Sequence, residues 1–130
     1  MIIKDEKGMY TLEIETKRNI VREKNTGFWT KEDIERFHKD YEKKVVPNFK
    51  GKPWAKYSDI RNYKTSDIGA EIGNHVQWAE STGMSACAII VDSAISKRQM
   101  NNSKADGLSH EMQVFTDETE ADEWLKAQGF

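Results

Sequence analysis

Asp59, Arg61, Lys64, Ser66 and Asp67 fall within nine residues of one another, and together they could receive an anion. The apolar pattern that follows predicts a helix beginning near Ser66. The first N–H groups of a helix lack intrahelical partners, and its dipole favours negative charge there. Arg61 and Lys64 stand close enough upstream to add charge-assisted hydrogen bonds to a phosphate, whereas Asp67 repels one. The same residues also admit a structural reading: Ser66 as N-cap, Asp67 as dipole partner, and Asp59 with Arg61 as an ion pair. Open α/β sheets hold ligands at the carboxyl ends of their strands, so recognition by Asp59 and Arg61 stays a candidate role.

Other reactive residue types are scattered. His38, His75 and His110 have no second ligand at metal-binding spacing on one element, so no metal site is expected. Cys87 sits in an apolar run, where burial raises a thiol's pKa and blocks access; it reads as inert core. Glycine-rich phosphate loops, a nucleophile elbow and a dinucleotide fingerprint are absent. The acid pairs Asp117-Glu118 and Asp122-Glu123 lie in charged runs that read as solvated surface. These residues suggest a non-enzymatic protein with no cofactor.

Twenty Lys plus Arg against twenty-two Asp plus Glu leave a net charge of −2, spread along the chain, so no nucleic-acid footprint exists. A single cysteine allows no internal disulfide, which fits a cytoplasmic protein. No stretch approaches the roughly 20 apolar residues of an integral membrane segment, and residues 1–7 lack a signal peptide's apolar centre. The 130 residues suit a single domain over 1–130.

The elements that would position these side chains follow from periodicity. Residues 9–15 alternate Tyr10, Leu12 and Ile14 against polar neighbours, which is a half-buried strand, and residues 20–24 form its antiparallel partner. Thr30 with Asp33 opens a helix whose apolar face is Ile34, Phe37, Tyr41 and Val45; Trp29 and Ile34 form a hydrophobic staple, and Pro47 stops the helix. Residues 54–60 give a third strand, parallel after the crossover. Residues 66–82 give a second helix burying Ile68, Ile72, Val76 and Ala79, ended by Gly83. Residues 85–92 read as a central strand covered on both faces. Residues 94–106 form a lightly packed third helix with only Ile95 and Met100 as an apolar stripe. Residues 112–115 form the last strand, and Asp117 caps a final helix carrying Trp124 and Leu125. The order is ββαβαβαβα: about five strands in a mixed sheet flanked by about four helices.

That order, with Gly27-Phe28-Trp29-Thr30-Lys31-Glu32-Asp33 at the first helix, Tyr57-Ser58-Asp59-Ile60-Arg61 on the third strand and Phe115-Thr116-Asp117-Glu118 before Trp124-Leu125, resembles the SpoIIAA-like single-domain proteins of the STAS superfamily. The resemblance spans roughly residues 9–128. It implies a STAS-like mixed sheet, binding rather than turnover, and Ser66 at the phosphoacceptor position of the antagonists in that superfamily. The expected function is recognition of a protein partner or small anionic ligand near the start of the second helix, and the fold admits a homodimer. The alternative, implied by lipid-binding domains of related fold, is a carrier or sensor of a lipid or other apolar small molecule.

Overall fold

A computed structural model of the chain describes residues 1–64, 67–102 and 107–130, with the side chains of 99–102 left out. Six strands form one sheet in the order β1(Ile2–Lys4), β2(Tyr10–Glu15), β3(Ile20–Phe28), β4(Trp54–Lys64), β5(Met84–Ile90), β6(Glu111–Phe115). β1 pairs antiparallel with β2 and β2 antiparallel with β3, and β3 to β6 run parallel. Parallel strands added in one direction place their right-handed crossover helices on one face. Accordingly α1(Lys31–Asp40) and α2(Gly69–Ser81) bury their apolar stripes with Leu12, Val21 and Trp54 on that face. The last helix, α4(Glu118–Ala127), buries Ala121 and Leu125 against Ala55, Ala88 and Phe115 on the other. Helix α3(Ala94–Asn102) joins β5 to β6.

β1 raises the expected count from five strands to six. Three residues are too few to display an alternation, and only Ile3 of the three is buried. The first helix opens as expected: the Thr30 N–H and hydroxyl donate to the Asp33 carboxylate at 2.8 and 3.0 Å. Ile34, Phe37, Tyr41 and Val45 are all buried. Pro47 does not stop the rod at once. A wide turn over Tyr41–Val45 and a tight one over Val46–Phe49 carry it on until Lys50 takes a left-handed conformation at φ 54°.

Three further expectations need correction. β3 and β4 extend to Phe28 and Lys64, because their polar tails pair with each other (Thr26↔Asn62, Gly27↔Tyr63, Phe28↔Lys64) beyond the point where β5 ends. Asp59 and Arg61 therefore lie within a strand, not at its end. The second helix begins at Gly69 rather than Ser66, with Ile68 at the cap position and no side-chain cap. Finally, Ile95 of α3 is exposed, while Met100 lies outside the described side chains.

Candidate functional site

The strand tails matter because of a bulge. Between the pairs Lys24↔Asp59 and Thr26↔Asn62, β3 advances by two residues and β4 by three, so Ile60 and Arg61 together oppose Asn25. The extra residue inverts the alternation of β4. Tyr63, which would otherwise face away from Ser58's side, turns toward α1 and packs on Trp29 with ring centroids 5.7 Å apart. The sheet, α2 and this two-stranded extension border a half-open cavity of about 700 Å³, walled by Trp29, Phe37, Ile72, Val76 and Ile89 among others. Its size lies within the roughly 300–1,000 Å³ range of small-molecule sites.

At the inner end of the cavity lies a buried polar cluster. Glu23 and Lys56 occupy inward positions on β3 and β4 and are both almost fully buried. The Lys56 Nζ is 3.2 Å from the Glu23 carboxylate, which also accepts hydrogen bonds from the Tyr41 and Ser58 hydroxyls. Lys56 lies 2.7 Å from His75 Nε2, and its ammonium sits 4.4 Å from the centre of the Tyr41 ring. Burial, with Lys56 beside it, holds the His75 pKa well below the usual imidazole value, so the ring is neutral.

Neutrality fixes the directions of a longer chain. An ammonium can only donate, so His75 accepts through Nε2 and carries its proton on Nδ1. That proton is donated to His38 Nδ1 at 2.9 Å, and the His38 Nε2–H points to Glu42 Oε1 at 2.8 Å. A continuous donor chain thus runs from the buried ion pair through α1 to Glu42, exposed on the wide turn that follows it. Burial likewise pushes the Tyr41 phenol well above its ordinary value and the Cys87 thiol up to about 12, as expected for inert core.

Asn25 and Tyr63 line the cavity, yet Asn25 Oδ1 and the Tyr63 hydroxyl have essentially no accessible surface of their own and no hydrogen bond among the described residues. Buried polar atoms are nearly always paired, so each orphan calls for an explanation.

Of the residues singled out from the sequence, Arg61 reaches the cavity lining, but with its guanidinium already engaged. Arg61 donates through Nε and Nη2 to Asp59 at 3.0 and 2.7 Å and through Nη2 to Glu118 at 2.7 Å, joining β4 to the head of α4. Burial alone would raise the Asp59 pKa, but the hydrogen bonds from Arg61 hold it below the usual carboxylate value. Lys64 ends β4 with its ammonium 5.8 Å from the Phe28 ring. Asp67 is exposed just ahead of α2, and Ser66 lies outside the described residues. His38 and His75 were isolated in sequence, yet the fold joins them across 37 positions. A signal for His75 existed: it falls on the stripe Ile68, Ile72, His75, Ala79, a polar residue among apolar ones.

Among the described residues no group of His, Cys, Asp and Glu could hold a metal ion, and no helix is long and apolar enough to cross a membrane. Architecture and site define a STAS-like α/β domain of the regulatory or binding kind. A family profile described as SpoIIAA-like matches residues 20–126, and the chain belongs to that family. Among solved structures it is similar to an uncharacterised Shewanella loihica protein with a SpoIIAA-like fold (17% identity, 89% of this chain and 93% of that one, TM-score 0.66). It is also similar to the Bacillus cell fate determinant SpoIIAA in its phosphorylated form (15% identity, 88% and 98% covered, TM-score 0.56). No curated protein matches the sequence.

Proposed function

We propose that this protein is a carrier or sensor of an apolar small molecule, held between the sheet and α2. The observation that carries this reading is the cavity itself: about 700 Å³, with aromatic and aliphatic walls from Trp29, Phe37, Ile72, Val76 and Ile89 and polar side chains at its inner end and rim. Ile72 and Val76, expected in the core, are only half-buried because they roof this space. A well-packed interior would have closed around them. The Arg61 to Asp67 segment supports anion recognition less well, since Arg61 commits its guanidinium to Asp59 and Glu118.

The test is a fluorescence titration with phenylnaphthylamine, a neutral apolar probe, on the wild type and on Val76→Trp. Saturable binding with enhanced emission is expected in the wild type, weakened at least about tenfold when the indole fills the cavity. No saturable binding, or equal binding by both proteins, would overturn the proposal.

A further inference from the structure

We infer that α2 is an acid-released roof over the cavity: neutral His75 holds it against the sheet, and a proton on His75 frees it and lets the ligand go. The inference rests on the cavity being a ligand site and concerns how that same site is controlled.

The two ends of α2 are fastened differently. At the carboxyl end the Glu80 carboxylate accepts from the Ser109 and His110 N–H groups at 2.6 and 2.7 Å and contacts the His110 ring. Just beyond, the Thr82 carbonyl accepts from the Trp54 indole at 3.2 Å and the Gly83 carbonyl from the Trp54 N–H at 3.1 Å. The amino half is loosely held. Ile68 gives it no side-chain cap, Gly69 and Gly73 have open space where a Cβ would stand, and Ile72 and Val76 are half-buried over the cavity. Among the described residues, the one side-chain hydrogen bond from α2 to the sheet is that of His75 Nε2 with Lys56 Nζ at 2.7 Å. His75 stands next to Val76 and one turn after Ile72, so the bond clamps the stretch that roofs the cavity.

The surroundings of His75 oppose a second cation. On β4, Lys56 faces Nε2; on β3, Glu23 is already shared by Lys56 and the Tyr41 and Ser58 hydroxyls. On α1, His38 faces Nδ1 at 2.9 Å and leads to Glu42. The Phe37 and Tyr41 rings pack on the imidazole, with centroids 5.0 and 4.8 Å away. Cys87 of β5 lines the cavity with it, as do Arg61, Asp92 and His110. Glu32, Glu35, Arg36 and Lys39 of α1 and Glu71 of α2 line the groove on its outer side. A proton on Nε2 sets one donor against another and two positive charges side by side in a buried place. Lifting the amino half of α2 about its tied carboxyl end returns the imidazolium to water and gives up only a lightly packed stripe. A ligand lying along Ile72 and Val76 then loses its roof. Ligand and proton thus compete, and one linked proton can change the affinity by up to about tenfold per pH unit below 6.5.

The experiment measures the affinity for phenylnaphthylamine, a diarylamine uncharged throughout, at pH 7.5 and at pH 5, with far-UV circular dichroism recorded on the same samples. In the wild type the affinity is expected to fall at least about fivefold at pH 5 while the circular dichroism stays native. In His75→Gln, which can accept from Lys56 but takes up no proton, the ratio between the two pH values should shrink to less than about twofold. His38→Gln keeps His75 and an acceptor for its Nδ1–H, so it should retain the wild-type ratio; it keeps the test available should His75→Gln fold poorly. An affinity equal at both pH values, the same fall in His75→Gln, or a fall abolished in His38→Gln would overturn the inference while leaving the cavity as a binding site. So would binding and native circular dichroism lost together, because the roof would then not open ahead of the fold. A probe that fails to bind at pH 7.5 would remove the inference and the carrier reading alike.

Discussion

His75 Nε2 lies 2.7 Å from Lys56 Nζ, and this contact sets the direction of each hydrogen bond out to Glu42. Were His75 protonated, Nε2 would also carry a proton and face the Lys56 ammonium, donor against donor, while the hydrogen bond to His38 would be unchanged. The imidazole is therefore locked neutral by its neighbours as well as by burial. It closes the space between α1, α2 and the sheet while standing against the cavity.

Stability should fall on mild acidification. The folded pKa of His75 lies well below the ordinary 6.5, so between those two values the unfolded chain binds a proton that the native state does not. The stabilising contribution is present above pH 6.5 and is lost as pH drops toward the folded value, with a slope of up to about 1.4 kcal/mol per pH unit. Urea unfolding from pH 7.5 to 5, compared between wild type and His75→Gln, checks this; the variant keeps an acceptor for Lys56 but cannot titrate, and its slope should be shallower.

Breaking the buried ion pair from either side should be severe. Lys56→Met leaves the Glu23 carboxylate buried without its cation, and Glu23→Leu leaves the ammonium without its anion, each costing about 3–5 kcal/mol. The double variant should lose much less than the sum. Urea midpoints for the three proteins give the coupling, and simple additivity would contradict the pairing.

Asp5 fastens the β1–β2 turn to α1. Its carboxylate accepts from Arg36 Nε and Nη2 at 2.6 and 2.8 Å and from the Met9 N–H at 2.9 Å. The Arg36 hydrogen bonds hold its pKa below the usual value, so this stabilisation is present above about pH 4 and is lost as pH falls further. Asp5→Asn should cost roughly 2 kcal/mol in urea unfolding at pH 7, and little at the acid end, where the wild-type carboxyl is itself protonated.

Cys87 should resist alkylation. Its thiol is buried and pushed up to about 12, so native protein at pH 8 should react with iodoacetamide at least roughly a hundredfold more slowly than protein in denaturing urea. Mass spectrometry of timed samples reads this directly, and comparable rates would place the thiol in solvent.

Much of the frame is legible in the sequence because it rests on local periodicity. The alternation of Tyr10, Leu12 and Ile14, the Thr30–Asp33 cap and the stripe from Ile34 to Val45 each reside within one element, and the structure keeps them all. The cavity does not. Lys56 and Ser58 are polar residues in a strand buried on both faces, where period two no longer separates inside from outside, and Glu23 is an inward charge between two other charged residues, Arg22 and Lys24. The bulge that turns Tyr63 inward arises from pairing between strands, which a single chain's pattern does not carry. The start of α2 moved for a related reason: the residues after Ile60 look like a polar loop, yet they are strand because β3 extends to meet them.

A crystal structure of the protein grown with phenylnaphthylamine tests the account most directly. The probe should lie beneath α2 along Ile72 and Val76. A probe bound only at the outer surface, or side chains of the protein itself filling the space under α2, would contradict it.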